Sequence, residues 1–217
     1  MKTITSLASF VALGSALFAK SASADQHFVN FYEIYNVLSV TGQLEVPTKD
    51  LSGTPYLWPG LQPYNNQGVL QPVLDGRNKG WFFGNNYVGK PSEPYGGGVG
   101  APLGSTLSYV MRNSNDGKNN WYSEVSNENG DKASYTYELG LTMTQAIFDC
   151  ELYDVDWNFG DVIFKNIEII ASGSDLSWCN DHPYSSSVNY KVDGVTSSKG
   201  DNTVSCKIEK ITLSPPS

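Results

Sequence analysis

Histidine is almost absent from this chain. Two occur in 217 residues, His27 and His182, and their placement matches no metal-ligand spacing. A Ser-His-Asp triad would have to draw on His182, in the run Cys179-Asn180-Asp181-His182-Pro183, and no Gly-x-Ser-x-Gly elbow accompanies it. Lysine and arginine are also scarce, 14 against 22 aspartates and glutamates. A chain at net −8 lacks the cations on which phosphate-backbone binding rests, which excludes nucleic acid as a partner. Three cysteines are too few for a small-domain disulfide scaffold. No Asn-x-Ser/Thr acceptor for N-glycosylation occurs. The glycine-rich run from Gly96 to Gly100 lacks the Lys-Ser/Thr ending of a phosphate loop, and the aspartate-rich loops lack the calcium-loop pattern. A surface role suits Asp154, Asp156 and Asp161 better than an incidental calcium site, so neither metal nor cofactor is expected.

Long apolar runs are equally rare. The one that stands out, Ile4 to Leu17, follows Lys2 and precedes Ala22-Ser23-Ala24, the small-residue pattern of secretory cleavage. Residues 1–24 are therefore expected to be a secretory signal, leaving residues 25–217 as one extracellular domain of 193 residues at net −10. No further run approaches the roughly 18–20 apolar residues of a membrane helix, so no membrane partner is expected. In an oxidising compartment the cysteines Cys150, Cys179 and Cys206 should make one disulfide and leave one thiol, with three pairings open.

What the chain does contain is aromatics and short β-patterned runs punctuated by glycine and proline. Strands are expected at 31–37, 40–46, 56–58, 69–74, 81–88, 106–111, 120–125, 133–139, 145–155, 161–171 and 203–213. Leu141 to Phe148 is a weak helix candidate, because its threonine and isoleucine content disfavours a helix. Gly89–Pro102 and Ser172–Asp201 are expected to be long loops. About ten strands with turn signals every 8–15 residues point to an all-β fold, a two-sheet antiparallel β-sandwich or jelly roll.

Period-two alternation separates the faces of these strands. Phe148, Cys150 and Leu152 read as core, opposite Asp149, Glu151 and Tyr153. Leu70 and Leu74 read as core, opposite Val69, Gln71 and Val73. With histidine and metals set aside, amides and carboxylates carry what chemistry there is. Glu151 lies mid-strand among apolar and aromatic neighbours, where a partly buried carboxyl suits general acid or base work. Asp149 lies on the same face and makes a two-carboxylate layout with it. Gln71 is the polar exception in an apolar strand, followed by Pro72, which suggests an edge or a bulge. Trp58, Trp81, Trp121, Tyr87 and Tyr122 are candidates to line a groove, although aromatics equally fill sandwich cores. A bond from Cys150 to Cys179 would brace the Glu151 strand; that pairing is favoured, with Cys206 as a buried thiol.

Four segments in order resemble the secreted fungal glutamic peptidases, the eqolisins. They are Ser39 to Thr48 with its Val-Pro ending, Tyr56-Leu57-Trp58-Pro59-Gly60-Leu61, Val69-Leu70-Gln71, and Cys150-Glu151-Leu152. Gln71 and Glu151 stand 80 residues apart, close to the separation of the family's catalytic pair. The chain departs from the family at Pro72-Val73, where the peptidases carry Thr-Gly, and at Leu152, where they carry tryptophan. It is thus similar to a divergent sister group. The resemblance implies a two-sheet β-sandwich, also similar to concanavalin-like lectins and glucanases, in which Gln71 and Glu151 activate water at acidic pH.

Three readings follow. The first is a secreted acid hydrolase using Gln71 and Glu151, with Trp58, Trp81, Tyr87, Asp149 and Tyr153 holding a peptide or polysaccharide. The second is a non-catalytic carbohydrate- or cell-wall-binding sandwich, lectin-like or an effector. The third is an acidic extracellular sandwich whose site, if any, lies in the loops 89–102 or 172–201.

Overall fold

A computed structural model describes residues 24–49, 53–78, 80–181, 184–185 and 188–216. The expected signal segment up to residue 23 and His182 lie outside them. The described chain is built almost wholly of antiparallel strands. In order they are β1 (Asp25–Phe31), β2 (Val37–Glu45), β3 (Thr54–Gln62), β4 (Gly68–Asp75), β5 (Trp81–Gly89), β6 (Gly98–Ala101), β7 (Thr106–Asn113) and β8 (Trp121–Ser126). There follow β9 (Lys132–Tyr137), β10 (Gln145–Tyr153), β11 (Val162–Ser172), the one-turn helix α1 (Ser177–Asn180), β12 (Tyr184–Ser185), β13 (Asn189–Asp193), β14 (Thr196–Gly200) and β15 (Thr203–Ser214).

Two sheets result. One has the order β12-β1-β10-β3-β4-β5-β6, and the other runs β13-β15-β11-β2-β7-β8-β9 with β14 also paired to β15. Each sheet turns one face inward, as the alternating patterns require. The inner faces meet through Phe148 of β10 and Phe164 of β11, ring centroids 5.3 Å apart, with Phe31 of β1 edge-on to Phe148 at 6.1 Å. Leu57, Leu61, Leu70, Leu74, Trp121 and Ile169 fill the space between the sheets. Removing this apolar surface from water, at roughly 25 cal/mol per Å², is the main force holding the sheets together. Gly42 of β2 lies opposite Tyr109 of β7, and any Cβ there would strike the tyrosine ring.

One polar residue crosses the layers. Asn85 of β5 is fully buried, accepts a 2.7 Å hydrogen bond from the Ser123 hydroxyl of β8, and donates to the Ala133 carbonyl of β9 at 3.0 Å. A buried amide satisfied at both ends ties the two sheets in one relative position.

Several local expectations are corrected. The first strand lies earlier than expected: residues 25–31 form β1, held along its whole length on β10, while residues 32–36 are not strand. The helix candidate 141–148 is a short irregular stretch running into β10, in keeping with its β-branched content. The loop 172–201 contains α1 and short strands, and β6 lies within the expected loop 89–102. Pro72 is on neither an edge nor a bulge. β4 lies inside its sheet between β3 and β5, and its pairing with β3 is interrupted between Leu57/Leu74 and Leu61/Leu70. That register sets Pro72 opposite Pro59, two residues with no N–H to give. The disulfide joins Cys179 to Cys206, Cα atoms 5.7 Å apart, and Cys150 is the buried free thiol. Cys150 points into the intersheet core, whereas Cys179 of α1 sits over β14, which pairs with β15 and sets Ser197 opposite Cys206.

Candidate active site

The outer face of the seven-stranded sheet carries the chemistry. On β4, residues 68, 70, 72 and 74 are buried toward the core, and Val69, Gln71, Val73 and Asp75 face outward. On β10, Phe148, Cys150 and Leu152 enter the core, and Ile147, Asp149, Glu151 and Tyr153 take the other face. Both alternations match the sequence reading. The outer face is not an ordinary wet one, because Tyr56, Trp58 and Ile147 form a second buried apolar cluster there, flanked by Phe28, Val69, Val73 and Tyr153. Polar groups set in such a floor compete less with bulk water for a ligand.

Cross-strand register brings Glu151 its partners. β10 pairs with β3 so that Asp149 faces Trp58 and Glu151 faces Tyr56. The Trp58 indole N–H donates to Oε2 of Glu151 at 3.1 Å, and the Tyr153 hydroxyl donates to Oε1 at 2.6 Å. Each carboxylate oxygen is thus held by one donor and keeps lone-pair capacity for another. Tyr153 itself is a firm proton holder: burial, then its bond to Glu151, raises its hydroxyl well above the ordinary phenol range. Tyr56 is pushed up to about 12, chiefly by burial.

Gln71 sits on the same face two strands away. Its side-chain amide makes no hydrogen bond to the described residues. The interruption of the β3–β4 pairing lies beneath it, and the register places Gly60, which has no side chain, opposite it. Two cavities open on this face, of about 510 Å³ and 260 Å³, and Gln71, Val88 and Glu151 line both. The cavities therefore adjoin at the amide and the carboxylate. The larger is walled by Phe82, Tyr95 and Arg77, and the smaller by Phe28, Trp58 and Tyr153.

Asp149 is the surprise. It shares the outer face with Glu151 yet is only 1% exposed, and its Oδ1 has no hydrogen-bond partner among the described residues. Burial, with the Glu151 charge adding to it, pushes its carboxyl well above the usual range, against the backbone N–H groups of His27 and Cys150. Sequence alternation put Asp149 on the right face but carried no sign that Phe28 and Trp58, opposite it on either side, would enclose it.

Other candidates separate. Trp58 and Tyr153 are at the site. Trp81 belongs to the intersheet core and donates its indole N–H to the Lys49 carbonyl at 3.2 Å, so it is removed from the groove. Trp121 is wholly in the core, and Tyr122 lies on the other sheet under Arg112. Tyr87 is a core-side residue that reaches the rim of the larger cavity, with its hydroxyl donating to the Lys90 carbonyl at 2.9 Å. Parity on β5 carried this signal: Trp81, Phe83, Asn85 and Tyr87 alternate inward, and Phe82, Gly84, Asn86 and Val88 outward. Residues not singled out from sequence are Tyr56, Phe82, Tyr95 and the Arg77–Asp75 pair, whose guanidinium lies 5.3 Å from the Tyr56 ring centre and 2.6 Å from the Asp75 carboxylate. Gly84 makes room for Tyr95, whose ring any Cβ at that position would strike.

No protein-family model matches the chain, and no curated protein matches it in sequence. Solved structures do match in fold. A crystal structure of Scytalido-glutamic peptidase with a peptide-based transition-state analogue superposes with a TM-score of 0.60 at 16% identity, covering 87% of this chain and 100% of that one. A second structure of that peptidase, with a transition-state analogue inhibitor, superposes at 0.56 and 14% identity over the same shares. The chain thus has the two-sheet fold of the glutamic peptidases at a distance that establishes the fold alone.

Proposed function

We propose that this protein is a secreted hydrolase working at acidic pH, in which Glu151 and Gln71 act on one water molecule. Glu151 takes the proton as the water attacks, and the Gln71 amide orients the water and donates to the oxygen that gains charge. Trp58 and Tyr153 hold the carboxylate in position. The observation that carries the reading is the shared placement of Gln71 and Glu151 at the junction of two cavities, on an apolar floor. A peptide is the favoured substrate, since the fold neighbour was crystallised with a peptide-based analogue. A polysaccharide is the alternative substrate. Secretion is supported by the Cys179–Cys206 disulfide, a bond that persists in oxidising compartments.

A second reading, a non-catalytic carbohydrate- or wall-binding sandwich, draws on Phe82 and Tyr95, which line the larger cavity while 44% and 56% exposed. Exposed rings of this kind stack on sugar faces. Incubation with an unfolded protein and with β-glucan at about pH 3–5 separates the two. The hydrolase reading expects new chain ends from wild type and none from Glu151→Gln. Glycan binding of equal strength by both proteins, with no cleavage by either, supports the binding reading instead.

A further inference from the structure

We infer that Asp149 is the general acid of this site, holding in its enclosed carboxyl the proton that the leaving group receives when the scissile bond breaks. The inference rests on the reading of Glu151 as the base. A hydrolysis needs both a group that accepts the water proton and one that supplies a proton to the departing atom. The geometry offers two carboxyls with opposite surroundings in one cavity. Glu151 is half-buried and accepts from Trp58 and Tyr153. Asp149 lines the same 260 Å³ cavity, is enclosed between Phe28 and Trp58, and leaves Oδ1 without a partner among the described residues.

A carboxyl in that setting is expected to carry its proton, because no cation compensates a charge there. Among the cavity-lining residues are no lysine, arginine or histidine. The titratable groups facing Asp149 are Glu151 and Tyr153 from β10 and Tyr56 from β3. From β1 come Gln26, Phe28 and Asn30, while the His27 ring packs on Trp157 instead. An enclosed carboxyl without a countercharge beside a carboxylate that accepts two hydrogen bonds is the kind of arrangement in which an acid and a base take different jobs.

The step balances without any further reagent. Glu151 removes one proton from water, the oxygen bonds to the carbonyl carbon, the C–N bond breaks, and Asp149 gives its proton to the nitrogen. The products are a carboxylic acid and an amine. Asp149 is left charged and Glu151 protonated, and transfer of that proton from Glu151 to Asp149 restores the starting state.

Asp149→Asn tests this against two substrates on the same acyl group: an amide, whose leaving nitrogen needs a proton, and a p-nitrophenyl ester, whose phenolate departs without one. The expected result is a fall of about 100-fold or more in kcat/KM for the amide with the ester rate kept. Equal loss on both substrates, or no loss on either, overturns the assignment. If Asp149→Asn does not fold, wild type serves: the amide rate should fall at the high-pH side as Asp149 ionises, with no such fall for the ester. A shared upper limb overturns it. The hydrolase reading fails separately, when wild type cleaves neither substrate, and takes this inference with it.

Discussion

The hydroxyl of Tyr153 lies 2.6 Å from Oε1 of Glu151, two residues along the same strand and on the same face. A strand places residues i and i+2 side by side, so one tyrosine fixes the carboxylate without help from a loop. Tyr153→Phe keeps the ring and removes the donor. We expect kcat/KM for the hydrolysis to fall about tenfold, the equivalent of about 1.4 kcal/mol, with thermal unfolding nearly unchanged. Unaltered kinetics would mean that Tyr153 does not position Glu151.

Asp149 also makes a prediction about stability. Its carboxyl is raised on folding, so the native state binds the proton more tightly than the unfolded state. Its contribution is fully present below the ordinary aspartate range and is lost as pH rises toward its folded value. Over the range above about pH 4 wild type should lose stability relative to Asp149→Asn, with a slope of at most about 1.4 kcal/mol per pH unit. Urea unfolding of both proteins across that range measures it. Parallel curves would show that Asp149 carries no such proton.

Asn85 is expected to hold the sheets in register. Asn85→Ala strands the Ser123 hydroxyl and the Ala133 carbonyl, and chemical unfolding should show a loss of about 1–3 kcal/mol. A change within a few tenths would show that water takes over both partners.

The disulfide closes a loop of 27 residues between α1 and β15. Peptide mapping without reductant should recover Cys179 joined to Cys206 and a single free thiol at Cys150. Reduction should lower stability by about 3–4 kcal/mol on the loop-entropy estimate. Recovery of a Cys150 cross-link would contradict the fold at its centre.

The legible parts were those that depend on alternation within one strand. Gln71 against Leu70 and Leu74, and Glu151 against Cys150 and Leu152, declare their faces in five or six residues, and the structure keeps both patterns. What depends on strand order was not legible. Pro72 reads as an edge residue because a proline weakens a ladder, and only the neighbours β3 and β5 show that it sits inside a sheet, facing another proline. The cysteine pairing went astray for the same reason, since the β14–β15 register that brings Cys206 within reach of α1 has no local signature. Trp58 and Trp81 look alike as residues. Parity with Phe83 and Tyr87 sends Trp81 inward, while the pairing of Trp58 with Asp149 keeps it at the site.

The central claim is that Gln71 and Glu151 act as a unit on one water. The most direct test is a double-mutant cycle in acid hydrolysis with Gln71→Ala, Glu151→Gln and both together. Groups that act on the same water are non-additive, so the double variant should be no slower than Glu151→Gln alone, and each single variant should lose most of the activity. Losses that multiply, or full activity in Gln71→Ala, would contradict the account.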